Sequence, residues 1–430
     1  MNDEKHVLET VTRLNKEYSF MSVVTTPKKN KGPLEDYYIT VKDCICMKGV
    51  ETTATSRILK GYKPAFDATV IKLVEDAGGK IIGKTLQDEF GFGSFCTNVG
   101  LDYPIPKNPY DKNRASGGSS GGAAVATSLL AKEGIKHIAI AESTGGSIEN
   151  PASFCGVIGF CPTYGTVSRN GLLSYSNSLD KIGVMANSLE DIQTILPIIQ
   201  VQDPNDSTSY VKKNPVKPIK KIGVLKVPGV SKEVQDAVDA ALSNLSIPVE
   251  SVELPFTIKY GIPAYYIIAT AEASTNLACL SGLRYGQEDV QKDEHFLDYF
   301  TRIRSKHFNT ETKRRIVLGT FTRKAGYRDA YYIKAAKVRR KIIEEYQALF
   351  KTYDIIVSPT MPFIAPTFDE IEKLKPVDHY TADVLTVGPN MAGLPHMSYP
   401  IKKSPLPIGL MIIGNHYDDQ TVLAAGALFK

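Results

Sequence analysis

Short apolar, β-branched runs alternate with helical patterns through the first half of the chain, and this alternation limits the fold more than any other feature. Residues 37–41 (YYITV), 80–83 (KIIG), 137–141 (HIAIA) and 222–225 (IGVL) have the composition of buried strands. Val70, Ile71, Leu73 and Val74 lie on one side of a helical pattern that Asp67 would cap and Gly78-Gly79 would end. A second helix is predicted from Ala123 to about Lys132. Segments 354–357 and 409–412 bring the tail back as strands, while 265–286 and 325–350 read as helical. Strands and helices in alternation predict an α/β fold, a large mixed sheet covered by helices on both faces. With 430 residues, no repeat and no compositional break, the chain reads as a single domain, 1–430, with a helical insertion around 255–350.

Composition removes several function classes. Hydrophobic residues make up 43% and charged residues 23%, as in ordinary globular proteins. Lys and Arg number 51 against 46 Asp and Glu, and the resulting +5 is weak for a dedicated nucleic-acid binder. No apolar run approaches the roughly 20 residues that cross a bilayer, so no membrane association is expected. The charged start, 1–9, lacks a signal-peptide core, and a cytoplasmic location is expected. The six cysteines form neither a CxxC pair nor a zinc-spaced group, which suggests buried, inert thiols and no structural metal.

Two glycine–serine segments carry the chemistry. Residues 114–122 (RASGGSSGG) lead into a helix start and let the backbone bend tightly beside another group. A phosphate loop would need a lysine after its last glycine, and none is there. Residues 143–152 (STGGSIENPA) follow the 137–141 strand, and consecutive amides in such a turn can converge on one point, as an oxyanion hole requires. A serine nucleophile needs a base. The histidine nearest Ser147 in sequence, His137, sits inside an apolar run and reads as core. Lys42, at the end of the 37–41 strand, is another candidate. Buried beside the serines, it would have a lowered pKa and could act as a neutral amine.

Taken together, the blocks YYITVKD, DATVIKLVEDAGGKIIGKT, NPYDKNRASGGSSGGAAVA, TGGSIENPASFCGVIGFCPTYGTVSRNGL and NMAGLPHMSYP resemble the amidase signature family over most of the chain. The resemblance implies that fold and a Ser-Ser-Lys site. Ser147 would be the nucleophile, Ser119 the bridging serine preceded by a cis peptide, and Lys42 the terminal base. The amides of Thr144, Gly145, Gly146 and Ser147 would form the oxyanion hole, with Ser120 supporting Ser119.

Within the family, YYIIATAEASTNLA and KRRIVLGTFTRKAGYRDAYYIKAAKVR are similar to blocks of the A-type subunits of tRNA-dependent amidotransferases. This implies glutamine hydrolysis, with Tyr265, Arg315 and Asp383 binding the substrate. Ammonia would pass to a B-type subunit that amidates misacylated Glu-tRNA or Asp-tRNA, with a small C-type subunit joining the two. On this reading the chain binds no cofactor, and ATP and Mg belong to the partner. A stand-alone amidase is the alternative, and a catalytically silent scaffold of the same fold is the non-enzyme alternative.

The chain also departs from the family pattern. Where relatives read TDTGGSIR it reads ESTGGSIE, so Ser143 and Glu149 replace an Asp and an Arg. Glu149 is expected to find a new cation, with Arg169 preferred over Arg114 and Lys181.

Overall fold

The structure, a computed structural model, describes residues 4–28, 30–291 and 293–430; of the charged start 1–9, positions 1–3 therefore lie outside the described residues. The strands are β1 (Met21–Val24), β2 (Tyr38–Lys42), β3 (Lys80–Thr85), β4 (His137–Ser143), β5 (Ile158–Cys161), β6 (Lys181–Ala186), β7 (Ile222–Leu225), β8 (Val249–Val252), β9 (Ile355–Pro359), β10 (His396–Lys402) and β11 (Ile408–Ile413). They form one 11-stranded sheet in the order β1-β3-β2-β4-β6-β5-β10-β11-β9-β7-β8. β2 is parallel to β3 and β4, and β7 is parallel to β8 and β9. From β4 through β6, β5, β10 and β11 to β9, each pair is antiparallel. The sheet is thus mixed, as expected.

The runs read as strands are apolar on both faces because both faces are covered. Ile39, Val41, Ile138 and Ile140 enter one core cluster, while their alternating neighbours Tyr38, Ala139 and Ala141 enter another. On this second face β4 presents the small residues Ala139 and Ala141, and the helix Gly121–Lys132 lies against it through Ala123, Ala124 and Ala126. A helix approaches a sheet closely only where neither side carries bulk.

Two local expectations need correction. Asp67 does not cap the following helix. Its Oδ1 accepts the Lys48 amide at 2.7 Å, and the helix Thr69–Asp76 starts at Ala68 without a side-chain cap. The insertion is also built differently from the two segments expected. It contains the helices Pro255–Asn276, Phe296–His307, Thr310–Arg323 and Lys334–Leu349, with a π-helical turn at Asp329–Ile333. The helical reading of 265–286 holds as far as Asn276, where a 3-10 turn at Leu277–Cys279 ends the helix, and the chain then turns at Gly282, φ 82°. Among the described residues, no helix is long and apolar enough to cross a membrane.

Helices Pro255–Asn276 and Thr310–Arg323 cross at Gly319, where a Cβ would lie 1.8 Å from the Thr270 carbonyl oxygen. That oxygen belongs to backbone and cannot rotate away. Gly319→Ala should therefore lower stability by roughly 2 kcal/mol or more, although alanine is the better helix former. Thr320→Ala, on the exposed face of the same helix, should stay within about 0.5 kcal/mol of wild type. Urea denaturation of the two variants checks both values.

Candidate active site

Because β2 and β4 run in parallel, their carboxyl ends reach the same edge of the sheet. Lys42 ends β2, and Glu142 and Ser143 end β4. β6 is antiparallel to β4 and begins at that edge, with Lys181 opposite Ser143. β5 ends there at Cys161, opposite His396, the first residue of β10. Strand register alone brings these groups together from distant parts of the chain.

Lys42 is fully buried, and its Nζ donates to Ser119 Oγ at 2.7 Å, Glu142 Oε2 at 2.8 Å and the Glu142 carbonyl at 2.9 Å. The Gly118–Ser119 peptide is cis. The Ser120 hydroxyl donates to the Glu142 carbonyl at 3.1 Å, and its amide donates to the Ser147 carbonyl at 3.2 Å. Ser120 therefore ties the 114–122 segment to both β4 and the turn bearing Ser147. Ser147 itself is 7% exposed.

The 143–149 turn has no room for larger residues. A Cβ on Gly145 would lie 2.4 Å from the Tyr265 ring, and Gly146, at φ 145°, would meet Thr386 Oγ1 at 2.3 Å. Thr386 Oγ1 donates to the Gly145 carbonyl at 2.6 Å. Of the four amides expected to face an oxyanion, that of Gly146 donates to Ser143 Oγ at 3.2 Å instead.

Sequence reasoning missed Glu142, and its presence changes the electrostatics. Burial, the largest single influence, pulls the Lys42 pKa down as expected, but the acidic groups around it, Glu142 first, together outweigh burial and leave it raised. The expectation of a lysine made neutral by desolvation is therefore wrong for this chain. Thr144 Oγ1 lies 2.6 Å from Glu142 Oε1 and 2.9 Å from Asp180 Oδ1. One hydroxyl proton serves only one of them, so the two carboxyls together carry a proton of their own. Burial, then Glu142, hold the Asp180 carboxyl well above its usual range. A charged residue at the end of an otherwise apolar strand was the available sequence signal for Glu142.

Glu149 does not pair with Arg169. Arg169 instead faces Asp206 at 3.6 Å and donates to Thr208 Oγ1 at 2.8 Å. Glu149 Oε1 contacts His396 Nε2, and its Oε2 accepts the Ser143 hydroxyl at 3.0 Å. Burial raises the Glu149 carboxyl, but His396, by charge and hydrogen bond, and then Lys181 outweigh it and hold the pKa at about 2. Burial and Lys181 pull the His396 pKa down. Even so, both ring nitrogens face oxygen acceptors, Glu149 Oε1 and the Leu394 carbonyl, so the pair retains a shared proton. In place of the family's Asp and Arg, Ser143, Glu149 and His396 brace the turn.

Ligand atoms of Glu149, Cys161 and His396 lie within 4.8 Å of one another. The direct carboxylate–imidazole contact, with Lys181 beside it, makes this cluster a poor fit for a cation. Five cysteines are buried as expected, whereas Cys279 is exposed.

A cleft of about 210 Å³ is lined by residues that include Ser94, Asn98, Glu311, Arg314, Arg315 and Tyr380. Arg315 donates to Glu311 Oε1 at 2.9 Å and to the Tyr175 hydroxyl at 2.8 Å. The rings of Phe92, Tyr175, Tyr266 and Tyr380 surround its guanidinium at 5.2–5.8 Å. Asp383 Oδ2 accepts from Ser94 Oγ at 2.8 Å and from the Tyr266 hydroxyl at 2.9 Å. Burial pushes this carboxyl up to about 6. Ser94 in turn links the cleft to the turn, since its carbonyl accepts Asn150 Nδ2 at 2.6 Å. Tyr265 packs on Gly145, whereas its neighbour Tyr266, unmarked in the sequence, reaches Asp383.

Residues 16–423 match the amidase family. The chain belongs to that family. It is 40% identical to the A-type subunit of glutamyl-tRNA(Gln) amidotransferase from Methanospirillum hungatei, over 94% of this chain and 95% of the relative. It is 44% identical to the subunit of the same name from Microcystis aeruginosa, over 88% of this chain and 79% of that one. The crystal structure of the corresponding glutamyl-tRNA(Gln) amidotransferase subunit from Thermotoga maritima superposes with a TM-score of 0.81 at 35% identity, covering 98% of this chain and 89% of that one.

The Glu149 carboxyl titrates near 2 in the folded chain against an ordinary 4.5. A depressed carboxyl stabilises fully above its unfolded pKa, and the effect is lost as pH falls through the folded one. Glu149→Gln should therefore lower stability at neutral pH, where the wild-type carboxylate is charged and braced by His396. The gap to wild type should close as pH falls from 4.5 toward 2, as followed by denaturant unfolding at stepped pH.

Proposed function

We propose that this chain is the glutamine-hydrolysing, A-type subunit of a tRNA-dependent amidotransferase. The observation that carries the reading is the buried Lys42–Ser119 hydrogen bond of 2.7 Å, tied through Ser120 to the Ser147 turn. Its relatives over about nine-tenths of the chain are A-type subunits of glutamyl-tRNA(Gln) amidotransferase.

Ser147 attacks the side-chain amide of glutamine as its proton moves to Ser119 and the Ser119 proton moves to Lys42, which accepts it in its neutral amine form. Because the Gly146 amide is engaged by Ser143, the amides of Gly145 and Ser147 are the first choice to hold the tetrahedral oxyanion, with Thr144 at the edge of the turn. The relay returns a proton to the departing nitrogen, ammonia leaves, and water hydrolyses the glutamyl ester. Arg315 in the cleft pairs with the substrate α-carboxylate, Asp383 with its ammonium, and Tyr265 backs the turn. Acyl transfer through serine uses neither metal nor organic cofactor, and ATP and Mg act in the partner's amidation step. B-type and C-type subunits, working in the cytoplasm, receive the ammonia and hold the misacylated tRNA.

Ser147→Ala should abolish glutamine hydrolysis and the glutamyl-enzyme adduct seen by intact mass, while the assembled complex still amidates Glu-tRNA or Asp-tRNA when given ammonium chloride. Activity retained with glutamine would refute the nucleophile. Failure with ammonium would refute the ammonia-supply role, and glutaminase activity indifferent to B-type and C-type subunits would favour the stand-alone amidase.

Arg315→Ala should raise KM for glutamine by about 10- to 150-fold, the worth of a charged hydrogen bond of roughly 1.5–3 kcal/mol. Hydrolysis of a simple amide without a carboxylate should change far less. Equal losses on both substrates would make Arg315 structural.

A further inference from the structure

We infer that Glu142 is a proton-holding partner of Lys42, storing the proton that Lys42 must shed before it can serve as base. The inference rests on the Ser-Ser-Lys reading proposed above. It starts from the three acceptors around Lys42 Nζ: Ser119 Oγ, the Glu142 carbonyl and Glu142 Oε2. An ammonium group satisfies all three with its three N–H bonds, so the resting form is charged and has no lone pair to offer. A backbone carbonyl is not basic enough to take the surplus proton, and Ser119 must donate one during the reaction. Only Glu142 Oε2, at 2.8 Å, is left to receive it.

Solvent does not touch this pair directly, since Lys42 is 0% and Glu142 3% exposed, so the carboxylate is the nearest receiver. The other titratable groups facing it are already committed. Asp180, whose carboxyl burial and Glu142 hold well above its usual range, is engaged by Thr144. Asp88 accepts the Cys96 and Asn98 amides at 3.1 and 2.8 Å. Burial keeps Cys44 a thiol.

The step balances without an outside base. A proton moves from Lys42 Nζ to the Glu142 carboxylate, converting ammonium and carboxylate into amine and carboxylic acid with no net change in charge. The amine then turns about its Cε–Nζ bond and presents its lone pair to Ser119. It takes the Ser119 proton as Ser119 takes that of Ser147 and the Ser147 Oγ–C bond forms. Breakdown of the tetrahedral adduct returns the relayed proton to the leaving nitrogen, and Glu142 returns its proton to Lys42. Glu142 never touches substrate. It acts through Lys42, so its signature is a pH profile rather than a change in KM.

The test is the pH dependence of kcat and KM for glutamine hydrolysis by the assembled complex, wild type against Glu142→Gln and Glu142→Asp. Glutamine at 142 keeps the size and can still accept from Lys42, but it cannot take a proton. Glu142→Gln should lower kcat near neutral pH by about 100-fold, the lower end for a lost general acid–base element, with KM within about twofold. Its acid limb should move to higher pH, because Lys42 must then lose its proton to solvent. Glu142→Asp should recover part of the rate and keep the wild-type limb. Should the Gln variant not fold, the Asp variant and the wild-type limb carry the test. A wild-type limb that titrates as a free amine, near about pH 10, would overturn the inference. So would an unshifted limb in Glu142→Gln, whatever its loss of rate, or a gain in activity. Hydrolysis surviving Ser147→Ala would instead remove the underlying site reading, whereas an inactive Ser147→Ala with an unshifted Glu142→Gln limb would overturn this inference alone.

Discussion

A lysine without access to water must have an anion beside it or give up its charge. In this chain the anion comes from the neighbouring parallel strand, one residue before the nucleophile turn begins. The contact between Lys42 and Glu142 therefore fixes more than a protonation state. It ties β2 to β4 at the edge where the turn starts, and the Glu142 carbonyl that receives Lys42 also receives Ser120. Lys42, the Ser119–Ser120 segment and the strand leading to Ser147 share one backbone oxygen, so a shift of any of them is felt by the others.

A second pair lies on the other side of the turn. Glu149 and His396 hold Ser143, which holds the Gly146 amide, while Thr386 holds the Gly145 carbonyl. The turn is thus restrained from β10 and from the 386–390 segment as well as from β4. Exchanging an acidic and a basic residue for Ser143 and Glu149 reverses the sign of the charge following the nucleophile, and His396 supplies the compensation. Lys42, Ser119 and Ser147 are kept although the supports around them have changed.

The strands were legible because their apolar and β-branched composition answers to burial on both faces, which is a local property. Lys42, Ser119 and Ser147 were legible through their glycine-rich surroundings and the family blocks. What escaped was decided by register. Arg169 was preferred for Glu149 because it lies close in sequence, yet His396, 247 positions away, stands beside it across the sheet edge. Glu142 drew no notice because a single charged residue at a strand end is ordinary until its neighbour across the ladder is known. Asp67 was placed at a helix start by composition, but the amide of Lys48 claimed it first. The 296–307 and 310–323 helices were hidden by mean polarity, since only narrow stripes such as Tyr299, Ile303 and Arg315 face inward.

The first strand of the edge ends at residue 42 and the last begins at residue 396. A chain emerging from the ribosome therefore carries both serines and the lysine long before the imidazole that steadies their turn exists. Until β10 arrives, Glu149 lacks the imidazole it pairs with in the folded chain, and the turn lacks one of its supports. The full set of contacts around the turn is therefore completed only once β10 has been made and has joined the sheet.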